Sequence, residues 1–217
     1  MIILQQMKKF FYIHSLNIWN ADEVEAGPDI SFVPPLLRRR LSEIEKITFY
    51  LGQKSAPDYQ NFRTVFASDF GEWTQTIQLI QQFYEEGQMS PAKFSTSVHN
   101  AGAGLFSLFR KNYQSYTCIA ANEATLQAGL LEAFITPPEC LFVFAQETTP
   151  DFYKPVFENP YSGHGLAFFI SEKESNFKIE VDFKTNNCDV LSFSELVEFF
   201  KTGKTLTTPL FEIRKLK

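Results

Sequence analysis

The chain has 217 residues, 44% of them hydrophobic and 21% charged, a size and composition suited to one packed domain or one and a half small ones. Its net charge of -5 argues against a nucleic-acid partner, which selects a basic face, and no apolar run is long enough for a membrane span. Cys118, Cys140 and Cys188 are odd in number and lack metal-ligand spacing, so a reducing, cytoplasmic setting with no metal and no cofactor is expected.

In chain order, MIILQQMKKFFYIHSL does not read as a leader, because Lys8 and Lys9 interrupt its apolar stretch. Phe10 to Ile13 predict a first strand. Pro34-Pro35 open a helix whose Leu37, Leu41, Ile44, Thr48 and Leu51 follow helical spacing, with Gly52 as its stop. The run Arg38-Arg39-Arg40 reads as the solvated or carboxylate-paired side of that helix. Thr64 to Ala67 predict a short strand. Gly71 to Glu86 predict a helix with Trp73, Ile77, Ile80 and Phe83 or Tyr84 on one face and Gly87 as its stop. Phenylalanine is unusually frequent, with 24 residues, which predicts a Phe-rich core or aromatic cover for a subunit interface.

Ser90-Pro91 start another element, since proline is tolerated in a first turn. Ser97 to Phe109 follow as a helix, and its small residues Ala101-Gly102-Ala103-Gly104 permit close approach of another backbone. A strand, Ser115 to Ala121, runs directly into a helix, Glu123 to Phe134. Cys140 to Ala145 form a continuous apolar run, as in a buried strand. After a Thr- and Pro-containing loop, Gly163 to Ser171 and Phe177 to Phe183 read as a hairpin-like pair. Ser192 and Glu195 form a capping box for a last helix that Gly203 ends. Strand–helix alternation from 10 to 145 predicts an α/β layer fold, and the two consecutive strands imply a mixed sheet.

The junction Ala120-Ala121-Asn122-Glu123-Ala124-Thr125 carries the most chemical information. A sharp strand-to-helix turn exposes one side chain beside backbone N–H groups and the positive end of a helix, which is the geometry of a nucleophile elbow. The turn offers neither serine nor cysteine. Glu123 is its reactive-type residue, and it is equally a favourable acid for a helix's first turn. No GxSxG is present, so a serine hydrolase is not indicated. Gly102-Ala103-Gly104 sit in an apolar helix, where close packing explains them better than phosphate binding. Of the scattered histidines, His99 reads as a core or interface residue and His164, between two glycines, as part of a tight turn.

The strings SPAKFSTSVHNAGAGLFSLF and SYTCIAANEATLQAGLLEA resemble the β-ketoacyl synthase region from the dimer-interface loop to the nucleophile elbow. FVPPLLRRRLSEIEK and VFASDFGE are similar to N-terminal pieces of the synthase-like group found with bacterial aryl polyene pathways. GHGLAFFISEK is similar to the glycine-containing strand that closes the N-terminal half of a synthase. The resemblance covers most of residues 8 to 183.

That resemblance implies a thiolase-like half over 1–183, a five-stranded mixed sheet covered by helices on both faces. Residues 184–217 are then a C-terminal tail with one short helix in place of the second half. The elbow position falls on Glu123, or on Asn122 if the register slips by one, and Cys118 lies inside the preceding strand. With the elbow cysteine replaced and the second half's catalytic residues lacking, no catalytic residue is implied. The implied role is a non-condensing chain-length-factor-like subunit that pairs with a full-length β-ketoacyl synthase, as a heterodimer or higher, and meets acyl carrier protein through the complex. Such factors commonly carry glutamine at the elbow, and Glu123 departs from that. The same resemblance places Lys93 and Phe94 at the substrate tunnel, and Tyr116, Cys118, Ile119, Ala120, His99 and Asn100 at the partner interface. Two other functions stay open: a Glu123-assisted malonyl decarboxylase or acyl hydrolase, and a homodimeric module binding acyl chains or carrier protein.

Overall fold

The structure, a computed structural model, describes residues 7–24, 26–135, 139–186 and 188–216. One mixed sheet organises it. Its strands are β1 (Met7–Asn20), β2 (Arg63–Ala67), β3 (Tyr116–Ile119), β4 (Cys140–Gln146), β5 (His164–Ser171), β6 (Lys178–Phe183), β7 (Leu206–Thr207) and β8 (Phe211–Leu216), in the order β3-β2-β4-β5-β1-β6-β8-β7. The sheet therefore has eight strands among the described residues, where five were expected. β2 pairs in parallel with β3 and β4, and the remaining pairs are antiparallel.

Side-chain alternation sends successive residues to opposite faces of the sheet. Val65, Ala67, Phe142 and Phe144 join one cluster, under α6 (Thr125–Ile135) and α7 (Phe193–Thr202). Phe66, Leu141, Val143 and Ala145 join the other, under α2 (Glu43–Ser55) and α5 (Ala101–Arg110). Helices thus cover both faces, as expected. Fully buried Phe49, Phe66, Phe142 and Phe168 each contribute about 1.5–3 kcal/mol relative to exposure. Much of the phenylalanine content is core.

Three readings of the elements are corrected. β5 and β6 are not a hairpin, because β1 lies between them and pairs with both. The helix expected from Pro35 to Leu51 is two: α1 (Pro35–Arg38) and α2, which restarts at Ser42 through a full capping box with Glu45. The stretch after residue 183 holds α7 and also β7 and β8, which extend the sheet beyond β6. On α3 (Trp73–Glu86), Trp73 and Leu79 are buried, and Ile80, Phe83 and Tyr84 of the predicted apolar face are exposed.

Candidate functional site

β3 is the edge of the sheet and pairs with β2 alone, through Ala67↔Ile119 at its C-terminal end. Tyr116 is exposed, and Cys118 and Ile119 are half-buried. The chain leaves β3 through exposed Ala120 and Ala121 into a single 3-10 turn, Asn122–Ala124, that leads into α6. Asn122 has φ +51°, a left-handed conformation that asparagine tolerates better than most side chains. Thr125, fully buried, clamps the turn: its hydroxyl donates to Asn122 O at 2.6 Å and accepts from the Ala121 N–H at 2.9 Å. The turn is a strand-to-helix elbow. Asn122 is its strained residue, and exposed Glu123 follows it at the start of the helix.

Beside the elbow lies a cleft of about 190 Å³ that includes Asp69, Glu123, Gln146, Tyr161, His164 and Phe193 in its lining. Strand ends assemble it. Asp69 follows β2, Gln146 ends β4, and His164 begins β5. The Asp69 N–H and the Ser68 hydroxyl both donate to Gln146 Oε1, at 3.2 and 3.1 Å, while the buried Gln146 Nε2 has no hydrogen-bond partner. Burial raises the Asp69 carboxyl, opposed by the polar side chains of Thr125 and Gln146 and by the nearby His164 and His99. Burial lowers His164, whose Nδ1–H donates to Ser162 O at 2.8 Å, leaving Nε2 as an acceptor. Tyr161 is raised by burial and by Asp69 and Glu147.

A second group of carboxyls is buried outside this lining. Glu72, 1% exposed, accepts from the Ser42 hydroxyl at 3.1 Å, and burial together with Glu45 and Glu147 pushes it up to about 8. Glu147 accepts from the Thr74 N–H at 2.6 Å, and burial, with Glu43 opposing its ionisation, pushes it up to about 7. No ion pair involves Glu45, Glu72 or Glu147 among the described residues. Glu45, Glu72 and Glu147 were not singled out from the sequence, although Ser42 and Glu45 carry a readable capping signature. Among the described residues, no group of His, Cys, Asp and Glu is arranged to hold a metal ion.

The residues singled out in the sequence fall in separate places. His99 is half-buried, bonded through Nε2 to Ser68 O at 2.7 Å and set edge-on against Phe66. Gly71, at φ +60°, packs against it so closely that a Cβ there would meet His99 Cα at 2.8 Å. Asn100 is exposed and donates to the Tyr116 hydroxyl at 3.3 Å, tying the start of α5 to the edge strand. Lys93 and Phe94 lie exposed on a short helix, α4 (Pro91–Ser95), with Phe94 57% accessible. Cys118 is pushed up to about 12 by burial, which leaves it a protonated thiol rather than a nucleophile.

No curated protein matches the chain. Among solved structures it is similar to the ketosynthase ApeO in complex with its chain length factor ApeC from Xenorhabdus doucetiae. The TM-score is 0.68 at 20% identity, over 85% of this chain and 82% of that one. It is also similar to the ishigamide ketosynthase/chain length factor, with a TM-score of 0.50 and 12% identity over 66% of this chain and 47% of that one. Both likenesses are of fold, and that fold is thiolase-like. The sequence model of the β-ketoacyl synthase N-terminal domain matches residues 14–201, and the chain belongs to that family.

Proposed function

We propose that this chain is a non-condensing, chain-length-factor-like subunit that pairs with an active β-ketoacyl synthase and shapes its acyl tunnel. The observation that carries this reading is an elbow with strained backbone at the end of an exposed edge strand, whose turn holds Asn122 and Glu123 and no serine or cysteine. Losing a nucleophile costs on the order of a millionfold in turnover where it has been measured. The scaffold is kept and the attacking atom is not, which suits a partner better than a catalyst.

In this reading Tyr116, Cys118 and Ile119 of the edge strand, Ala120 just after it, and His99 and Asn100 meet the partner. Lys93 and Phe94 face its tunnel. Residues 1–183 carry the synthase-like half, and 184–217 form a C-terminal tail whose Leu191 and Phe193 border the elbow cleft. The exposed apolar residues Ile80, Phe83, Tyr84, Phe94 and Tyr116 supply surface for a partner to cover. Acyl carrier protein reaches the pair through the synthase, and the setting is a cytoplasmic, aryl polyene-type polyketide pathway. Co-expression with a synthase, followed by analysis of complex mass and product length, tests it: a defined complex is expected, and a chain that stays apart contradicts it.

A second reading draws on the cleft itself. Glu123, Asp69, the acceptor Nε2 of His164 and the unpartnered Gln146 Nε2 line one small space and could serve acid–base chemistry on a malonyl or acyl group. Turnover of malonyl or acyl carrier protein by the isolated chain, abolished by Glu123→Gln, would favour it over the partner role.

A further inference from the structure

A larger cleft, of about 570 Å³, opens elsewhere on the molecule and takes no part in the elbow site. Its volume lies within the roughly 300–1,000 Å³ usual for small-ligand sites. α1 and its exit supply Leu37, Arg39, Arg40 and Leu41, α4 supplies Lys93, and α5 supplies Leu105. One wall is braced by Gln75 of α3, whose Nε2 donates to Lys93 O at 3.1 Å and to the Thr96 hydroxyl at 2.7 Å. Leu37, Leu41 and Leu105 give the cleft an apolar surface.

The exposed charges at this cleft are all positive. Arg39, Arg40 and Lys93 are exposed, and none has an ion-pair partner among the described residues. Of the two expectations for the arginine run, solvated or carboxylate-paired, Arg39 and Arg40 meet the first: among the described residues they have no carboxylate partner, and they rim a cavity just beyond the end of α1. The lining carboxyl is Glu45, only 2% exposed. Its Oε2 is engaged by the Ser42 N–H at 2.8 Å, and its buried Oε1 has no hydrogen-bond partner. Cations gathered over an apolar wall, on a chain with a net charge of -5, complement a ligand that is anionic at one end and aliphatic at the other. Guanidinium groups bind carboxylate and phosphate through paired N–H donors.

We propose that this cleft binds a small amphiphilic anion, an aliphatic chain ending in a carboxylate or phosphate, with its head at Arg39, Arg40 and Lys93 and its chain along Leu37, Leu41 and Leu105. Lys93 is also one of the two residues assigned to the acyl tunnel, so the test rests on Arg39 and Arg40, which that assignment does not use. Failure here would leave the pairing with a synthase standing, and the reverse also holds.

Calorimetric titration of the full chain, alone or with its synthase, with decyl phosphate, decanoate, decanol and inorganic phosphate reads the site directly. The phosphate and carboxylate arms show which head group the site takes. At least one of the two amphiphilic anions should bind saturably, with decanol and inorganic phosphate weaker by about tenfold or more. Arg39→Gln/Arg40→Gln, checked for an unchanged thermal midpoint, should lose about tenfold in affinity, and added salt should weaken binding to the wild type. A photoreactive alkyl phosphate should label peptides holding residues 37–41, 92–96 or 105. Absence of saturable binding by both anions, equal binding of decanol, wild-type affinity in the arginine variant, or labelling confined to other segments would each overturn the proposal.

Discussion

The ring of Phe193, the first residue of α7, lies 4.6 Å from that of His164, the first residue of β5, and both line the elbow cleft with Glu123. The Leu191 N–H adds a bond to Gln127 Oε1 of α6 at 3.4 Å. The C-terminal segment therefore packs against the helix that starts at the elbow. Replacing Phe193 with Ala removes a half-buried ring and should cost roughly 1–2 kcal/mol. The cleft should open with it, seen as faster hydrogen exchange at residues 162–166 and 190–194. Unchanged exchange and stability would show that Phe193 merely rests on the surface.

Buried carboxyls without cations make stability fall as pH rises. Glu72 is held near 8 in the folded chain against an ordinary value of 4.5. The folded state therefore keeps a proton that the unfolded state releases. Its contribution is fully present below pH 4.5 and is lost progressively up to about 8, with Glu147, near 7, acting in the same direction. Glu72→Gln keeps an acceptor for the Ser42 hydroxyl and should raise stability at pH 8.5 by on the order of 2 kcal/mol, with little change at pH 4.5. Chemical denaturation at the two pH values checks this, and equal shifts at both would refute the assignment.

At the elbow, Asn122 and Glu123 have separable roles. Asn122→Gly should be nearly neutral, because glycine adopts positive φ freely, whereas Asn122→Val should cost about 1–3 kcal/mol. Glu123→Gln should leave product formation by the synthase complex within a few-fold and stability within about 0.3–1 kcal/mol, from the favourable effect of an acid near a helix start. A loss of activity by orders of magnitude in an intact complex would move Glu123 from the helix start into the chemistry.

β3 presents an unpaired, partly apolar edge, which is an aggregation hazard. The chain alone should be poorly soluble, and a partner should rescue it. Thr117→Lys, a charge on the edge strand, should improve recovery of the isolated chain and weaken the complex. A monodisperse monomer at micromolar concentration without any such change would show that this edge needs no cover.

Much of the fold could be read from local pattern. The apolar run at Cys140–Gln146 and the Ser192/Glu195 capping box both mark real elements, and Gly87 and Gly203 end their helices with left-handed φ. β1 was underestimated because its register shifts between His14 and Asn17, where Ser15 takes φ +51° and the two-residue alternation breaks. Pro34-Pro35 drew the start of α2 too early, although Ser42 and Glu45 carry the same signature that located α7. The apolar face of α3 was legible, but helical spacing does not say whether this chain or another covers it, and Ile80, Phe83 and Tyr84 are exposed. The elbow was legible as a strand running straight into a helix. Asp69, Gln146 and His164 were not, because they meet only through the pairing of β2, β4 and β5.

The most direct test is co-expression of this chain with a full-length β-ketoacyl synthase from the same source, measuring complex mass and product length for wild type and for Phe94→Ala. Phe94 is exposed in the isolated chain, and a ring that must be overpacked at a tunnel floor costs about 1–3 kcal/mol, enough to change the dominant product. A defined complex is expected whose condensation depends on the synthase cysteine and whose main product lengthens when Phe94 is cut to Ala. A chain that remains monomeric or homodimeric beside a fully active synthase would contradict the partner role itself.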